Sequence, residues 1–292
     1  MRTGQRNLYA ERIARAVQEL EELASRGEAP TLAALAKAAG MSEFHFHRIF
    51  RLMTGESVGD AMTRIRLGHG LSGLAPGADL REATGRSGYA TSQAFSRALK
   101  DQIGATPGEL RADPERRVNA ASALSRSHPT PDAPLPAMNI EIVSFDPLRL
   151  LAVRNIGDYA ELNQGFGRLF EGICAQMSPE SILGLYGVPH DDPRFVAAEA
   201  CRFDCAFDVG DAAAPGGEIA ELMLAGGRYA RLHHMGDYDL IHRAMDALYN
   251  WALFEQEIVG DTPLFIHYLD DPDEVAVEDQ RAWVYLPLSV GE

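Results

Sequence analysis

Apolar residues recur at helical spacing in the first part of the chain, as at Val58, Ala61, Met62 and Ile65, and no strand-type alternation accompanies them. Beyond about residue 138 the pattern changes. Short β-type runs at 150–153, 229–232, 263–269 and 282–288 alternate there with helical stretches around 160–175 and 238–255. The stretch between, 113–137, holds Pro114, Pro129, Pro131, Pro134 and Pro136 with no helical or strand period, and so predicts a linker rich in Pro, Ala and Ser. The expected architecture is multidomain: an all-α domain over 1–112, the linker over 113–137, and an α+β domain over 138–292.

Charge follows the same division. The 292-residue chain has a formal charge of −15, which taken whole argues against a polyanionic partner. Residues 1–112 carry 15 Lys and Arg against 12 Asp and Glu, a net of +3, so the acidity belongs to the remainder, at −18. The N-terminus has no apolar run of leader length and no stretch has the ~20 apolar residues of a membrane span. Three cysteines (Cys174, Cys201, Cys205) are too few for a disulfide framework. A cytoplasmic protein is expected, with Cys201 and Cys205 as ordinary core residues and no metal or cofactor.

The first part contains a repeat. An offset of 49 places Ser42 on Thr91, Phe46 on Phe95, Arg48 on Arg97 and Gly55 on Gly104; upstream the offset is 48, pairing Leu32 with Leu80 and Gly40 with Gly88. Each copy reads as a helix-turn-helix unit: a short helix (32–38 or 80–86), a turn glycine, and a second helix capped by Ser42 or Thr91. In the first second helix Phe46, Ile49, Phe50 and Met53 make the core face, while Phe44, His47, Arg48 and Arg51 point elsewhere. In the other, Phe95, Ala98 and Leu99 face inward, leaving Ser92, Gln93, Ser96, Arg97 and Lys100 outside. Hydrogen-bonding side chains mixed with Arg and Lys suit base edges and phosphates in a major groove, and two such helices can reach successive grooves.

With Leu32-Ala-Ala-Leu-Ala-Lys-Ala-Ala-Gly40, Ser42-Glu-Phe-His-Phe-His-Arg-Ile-Phe-Arg51, Thr54-Gly55, Gly88-Tyr-Ala-Thr-Ser-Gln-Ala-Phe-Ser-Arg97 and the closing Gly104-Ala-Thr-Pro-Gly-Glu-Leu-Arg111, the region 7–112 resembles the AraC/XylS family of bacterial transcription regulators. The resemblance implies that Phe44, His47, Arg48, Ser92, Gln93, Ser96 and Arg97 contact double-stranded promoter DNA, with RNA polymerase as a further partner. The helix joining the two units departs from the family pattern at Gly68, Gly70 and Gly73. Each glycine costs roughly 1 kcal/mol in a helix interior, which predicts a loosely held spacing between the two readers.

The second part repeats at an offset of 79. Gly157-Asp-Tyr159 recurs as Gly236-Asp-Tyr238, Asp191-Asp-Pro193 as Asp270-Asp-Pro272, Glu199 as Glu278 and Arg202 as Arg281. Each copy reads as βαββ. Two copies related by a pseudo-twofold would pair their sheets, lay both helices on one face and leave a cleft between them. The Glu199/Arg202 and Glu278/Arg281 pairs read as structural anchors at spacing i, i+3, and Asp-Asp-Pro as turn chemistry.

Val153 to Tyr159, Gly226-Gly-Arg-Tyr-Ala230, Gly236-x-Tyr238, Trp251, Tyr268-Leu-Asp-Asp-Pro272 and Leu286-Pro-Leu288 give residues 138–290 a resemblance to the GyrI-like, or effector-binding, domain family. The resemblance implies a sensor of small, often lipophilic and cationic molecules. Aromatic candidates for the effector are Tyr159, Tyr186, Tyr249, Trp251, Phe265, Tyr268 and Trp283, together with His267. Where many relatives have a pocket glutamate this chain has Ile266, so the cleft is expected to take neutral apolar ligands or to borrow charge from Glu221 or Glu255. Some relatives resemble hydrolases that use this Glu with a Trp, which makes hydrolysis of lipophilic molecules the alternative. No Gly-x-Ser-x-Gly, Walker or His-rich motif replaces the Glu, so no catalytic residue is assigned.

Overall fold

The computed structural model describes residues 4–28, 30–74, 77–125, 139–194, 196–255 and 257–289. They form two compact units, on either side of 126–138.

The first unit is helical: α1 (Gly4–Ser25), α2 (Leu32–Ala39), α3 (Glu43–Thr54), α4 (Val58–Ser72), α5 (Leu80–Arg86), α6 (Ser92–Ile103), α7 (Pro107–Ala112) and α8 (Pro114–Ser125). The helix-turn-helix pairs are α2–α3 and α5–α6, with α4 between them. The expected caps are present, since the Ser42 and Thr91 hydroxyls accept from the His45 and Ala94 amides at 3.4 and 3.1 Å. The turn glycines Gly40 and Gly88 are left-handed, at φ 65° and 64°. At Gly88 a side chain is doubly excluded, because a Cβ would also lie 2.7 Å from the Gly27 carbonyl oxygen. Gly88→Ala is therefore expected to cost about 1–2 kcal/mol from the backbone conformation alone. A thermal melt that did not shift downward would show that the turn yields.

Of the three glycines, Gly68 faces open space, but Gly70 in α4 and Gly73 at its end do the opposite of what their helix propensity predicts. A Cβ on Gly70 would lie 2.6 Å from the ring of Phe95 on α6, and one on Gly73 would lie 3.0 Å from the α-carbon of Ala83 on α5. Gly70 and Gly73 let the second helix-turn-helix pair press directly against the connecting helix, so they fix the spacing instead of loosening it. Arg66 adds a clamp. It donates to the Ser87 and Gly88 carbonyls at 3.0 and 2.6 Å, and its guanidinium stacks 4.3 Å from the centre of the Tyr89 ring.

The linker reading is corrected at its start. Residues 114–125 form a helix, in which Pro114 occupies the first position and the Asp113 carboxylate accepts from the Arg116 amide at 3.0 Å. Proline at that position begins a helix rather than breaking one. Ala120 and Leu124 are buried in a core with Leu67, Leu71, Phe95 and Leu99. The rest of the proposed linker, 126–137, lies outside the described residues.

The second unit is a single antiparallel sheet with two helices. Its strands are β1 (Ile140–Phe145), β2 (Leu148–Ile156), β3 (Gly184–Pro189), β4 (Arg202–Asp208), β5 (Ala220–Leu224), β6 (Gly227–Met235), β7 (Phe265–Tyr268) and β8 (Arg281–Leu288), in the order β1-β6-β8-β7-β3-β4-β2-β5. Helix α9 (Leu162–Cys174) packs on β2 and β4, and α10 (His242–Glu255) on β6 and β8. The offset of 79 recurs in the register: β2 pairs Asn155 with Phe203, β6 pairs His234 with Ala282, and β3 meets β7 with Gly187 opposite Ile266.

The same offset appears in side-chain bonds, although not those expected. The carboxylates that Arg202 and Arg281 grip are aspartates, where Glu199 and Glu278 were expected. Each forks onto the first aspartate of an Asp-Asp-Pro turn, Arg202 to Asp191 at 2.7 and 2.9 Å and Arg281 to Asp270 at 2.9 and 2.7 Å. A guanidinium prefers the carboxylate that can also accept its own backbone amide, as Asp191 and Asp270 both do at 2.8 Å. The tyrosine of each Gly-Asp-Tyr turn closes the arrangement: Tyr159 Oη lies 2.7 Å from the Asp191 and Arg202 carbonyls, and Tyr238 Oη lies 3.2 and 2.7 Å from those of Asp270 and Arg281.

Candidate functional site

Helix α6 presents an open polar face. Phe95 and Leu99 are fully buried beneath it, while Gln93, Arg97 and Lys100 are exposed. Ser92 and Ser96 are half-buried and already engaged: the Ser92 hydroxyl lies 3.0 Å from that of Thr84, and Ser96 donates to the Ser92 carbonyl at 2.6 Å. Gln93, Arg97 and Lys100 thus remain as the groups this helix can offer to a duplex.

Helix α3 differs from its copy. Arg51 is exposed, but Phe44, His47 and Arg48, expected on an open face, are only 9, 6 and 4 % exposed. Part of the reason is local: Phe44 and Arg48 stand four residues apart on one helix, and the guanidinium lies over the ring, 4.9 Å from its centre.

In the second unit, strand alternation divides the aromatic candidates. Along β7, Phe265 and His267 project to one face and Ile266 and Tyr268 to the other, because successive side chains alternate. Register carries this across the sheet, with His267 opposite Tyr186 and Trp283, and Tyr268 opposite Leu185. Tyr186, Phe265, His267 and Trp283 therefore share the face away from the helices, and no single cleft takes all eight effector candidates.

On that face the rings pack on one another. Phe265 stacks on Tyr285 at 4.6 Å and Tyr186 on His267 at 4.4 Å, with Phe145 and Tyr229 completing the cluster. Burial lowers the pKa of His267 against the opposing influence of Asp208 and pushes the Tyr186 phenol up to about 12, so both are neutral near pH 7. Trp283 is half-exposed beside charge, with the Arg231 guanidinium 4.1 Å from its ring centre.

The helix face holds the other group. Tyr268 is touched from α9 by Phe166, at 6.0 Å between centroids, and from the turn before α10 by Tyr238, at 4.9 Å. Because α9 packs on β2 and β4 and α10 on β6 and β8, the central strands β3 and β7 lie between the two helices. The space over Gly187 on β3 is taken by its neighbours, since a Cβ there would lie 2.4 Å from Phe203 and 3.1 Å from Tyr268. The Tyr159 ring lies 5.2 Å from that of Phe203, and its phenol is committed to the turn. Trp251 is half-buried on α10, and Tyr249 is fully buried. Phe166 and Tyr238 are not among the sequence candidates, although the 79-residue repeat of Gly-Asp-Tyr marks Tyr238.

The immediate surroundings of Tyr268 are neutral. Ile266 is 1 % exposed, and burial raises the pKa of the Tyr268 phenol and pushes the Cys205 thiol up to about 12. The nearby aspartates are ion-paired: Asp191 with Arg202, Asp192 with Arg194 and Asp270 with Arg281. Glu221 cannot lend charge. It pairs with Arg149 at 2.8 Å on β5, four strands from β7 and hence roughly 19 Å away at the usual inter-strand spacing. Glu255 is exposed at the end of α10. Among the described residues no three His, Cys, Asp or Glu are grouped to hold a metal ion, and no helix is long and apolar enough to cross a membrane.

Known proteins resemble both units. Residues 138–289 match the profile of the GyrI-like small molecule binding domain, and residues 35–113 match a helix-turn-helix domain of the AraC type. The protein named "Probable transcriptional regulator YgiV" of Escherichia coli K12 is 30% identical over 115 residues, covering 39% of this chain and 72% of that protein. Among solved structures, an uncharacterized conserved protein from Listeria innocua aligns with TM-score 0.43 and 14% identity over 53% of this chain and 94% of its own. The EcmrR–DNA complex aligns with TM-score 0.45 and 11% identity over 51% and 57%.

Proposed function

Because this chain belongs to the family of GyrI-like small molecule binding domains and also carries an AraC-type helix-turn-helix domain, we propose that it is a transcription regulator switched by a small, lipophilic, uncharged effector. The observation that carries the reading is the presence, in one chain, of an open polar recognition helix and of a small molecule binding domain whose central tyrosine, Tyr268, sits among aromatic and neutral side chains. Gln93, Arg97 and Lys100 bind promoter DNA, with Arg51 contributing from α3. The effector lies over Tyr268, between α9 and α10, and the Tyr268 phenol donates a hydrogen bond to it. The effector acts by binding one state of the protein more tightly than the other, which alters the grip on DNA or the contact with RNA polymerase. The hydrolase alternative gains no support from β7, where the place of the catalytic glutamate is held by buried Ile266.

Two probes of similar shape and different charge test the effector class. Triphenylphosphine oxide, a neutral acceptor, is expected to raise the melting temperature of the whole chain in a saturable way, and tetraphenylphosphonium to leave it unchanged. Stabilisation by a bound ligand grows as RT ln(1 + [L]/Kd), so probe at about 100 times Kd contributes about 2.7 kcal/mol. A larger shift with the cation would refute an uncharged effector. Fluorescence anisotropy on duplexes recovered from genomic DNA, with and without the neutral probe, tests the regulatory link.

A further inference from the structure

Helix α8 begins where the helix-turn-helix match ends, at residue 113, and its last turn is where the chain leaves for the second unit. Three guanidinium groups tie it to the DNA-reading unit through backbone carbonyls. Arg116 donates to Gly104 after α6 at 3.3 Å, Arg117 donates to Leu74 after α4 at 3.0 Å, and Arg64 on α4 donates to Leu124 at 2.8 Å. Arg64 is the member with two partners of different kinds. Its Nε and Nη2 fork onto Glu56 at 3.0 and 2.7 Å, and the pair is nearly buried, with 12 % of the Arg64 side chain and 8 % of that of Glu56 exposed. Glu56 follows Gly55, the residue that ends α3, and its amide is 3.4 Å from the Thr54 hydroxyl.

A single planar side chain thus joins the end of the first recognition helix to the last turn of α8. Guanidinium suits this position because its five donors stand in a fixed fork, so one face can hold a carboxylate while the remaining nitrogen holds a carbonyl. Moving α8 removes the Leu124 carbonyl from Nη1 and leaves a nearly buried donor without its partner, which the Glu56 contact must then accommodate.

We propose that Arg64 is a positioning residue for DNA recognition and that α8 is the element through which the second unit acts on the first: docked, α8 holds Arg64 and Glu56 so that α3 is set for the duplex; undocked, it releases them. The proposal rests on the reading of the chain as a regulated DNA-binding protein only for its use, since the docking itself is tested without DNA.

The test compares full-length wild type with Arg64→Gln, Arg64→Lys, Leu124→Asp and the milder Leu124→Ala, by hydrogen exchange and by affinity for a duplex that the wild type recovers from genomic DNA. Faster exchange is expected over 43–57 with 92–103 still protected in Arg64→Gln, and over both segments in Leu124→Asp and, to a smaller degree, in Leu124→Ala, because Leu124 also shares a core with Phe95 and Leu99. Affinity is expected to fall about tenfold, within the usual range of coupling between sites. Arg64→Lys should behave as Arg64→Gln, because it keeps the charge and loses the fork, and Arg64→Gln with Leu124→Asp should lose no more than either alone. Exchange in Arg64→Gln that rises equally in both recognition helices, or exchange in any of the variants that stays unchanged over 43–57, would overturn the proposal. If wild type recovers no duplex, the DNA-binding reading falls and the exchange pattern still decides the role of α8.

Discussion

Arg97→Ala is expected to weaken binding of the specific duplex by about 10- to 100-fold, because one well-placed arginine fork on a base edge contributes roughly 1–3 kcal/mol of discrimination. The expectation depends on how α6 is held. Its N-cap, Thr91, is engaged, Phe95 and Leu99 are buried against α4 at Gly70, and Arg66 grips the turn before it. Nothing in that support involves the Arg97 guanidinium, which is exposed and has no ion pair or hydrogen bond among the described residues, so its removal leaves the scaffold intact. Two measurements separate its possible targets. A base contact predicts loss confined to the specific sequence, whereas a phosphate contact predicts equal loss on all sequences and a salt slope smaller by about one. Lys100→Ala, at the end of the same helix, is expected to follow the phosphate pattern. Unchanged affinity in both variants would remove α6 from the interface.

The duplication makes α6 legible from sequence, because Thr91, Phe95 and Arg97 each have a counterpart 49 residues earlier. It also makes α3 look equivalent, and there the expectation of an open face fails. A helical wheel orders residues around one axis and carries no information on what else covers them, so Phe44, His47 and Arg48 can be placed off the core face and still be buried. A comparable limit applies to α4. Propensity counts Gly70 as a local cost, whereas its value lies in the approach of a ring from α6, a contact between residues 25 apart.

In the second unit the offset of 79 is readable in the sequence, and it reappears in paired registers and in the two tyrosine-aspartate-arginine arrangements. The partner of Arg202 is not readable, since Glu199 is near in sequence while Asp191 comes near only when β3 and β4 pair. What unites the effector candidates is aromatic character, which describes core and cleft equally well. Strand parity along β7 separates Phe265 and His267 from Tyr268 on the sequence alone. Pro114 reads as linker punctuation until Asp113 is weighed beside it as a cap.

Asp191 carries the other large expected effect. Its carboxylate accepts from the Arg202 backbone amide, Nε and Nη2 at 2.8, 2.7 and 2.9 Å, and its own carbonyl lies within reach of the Tyr159 phenol. Asp191→Ala therefore leaves an amide and a guanidinium without their acceptor and loosens the turn that starts α9. Breaking a fully buried pair costs about 3–5 kcal/mol; with 42 % of the Arg202 side chain exposed, solvent recovers part of that, and a loss of about 2 kcal/mol is expected. The pH dependence identifies the cause. Burial alone would raise the pKa of Asp191, but the bonds from Arg202 outweigh it and hold the carboxyl below its ordinary value of 3.8. A carboxyl depressed by folding contributes stability that is complete above the unfolded value and disappears as pH falls through the folded one. The gap between wild type and Asp191→Ala should accordingly be widest near pH 7 and close progressively below about pH 4. Both tryptophans of the chain, Trp251 and Trp283, lie in this unit, so urea unfolding followed by their fluorescence reads it separately from the helical one. A gap of the same size at pH 3 and pH 7 would mean that the turn is held by packing and that the Asp191–Arg202 charge pair contributes nothing measurable.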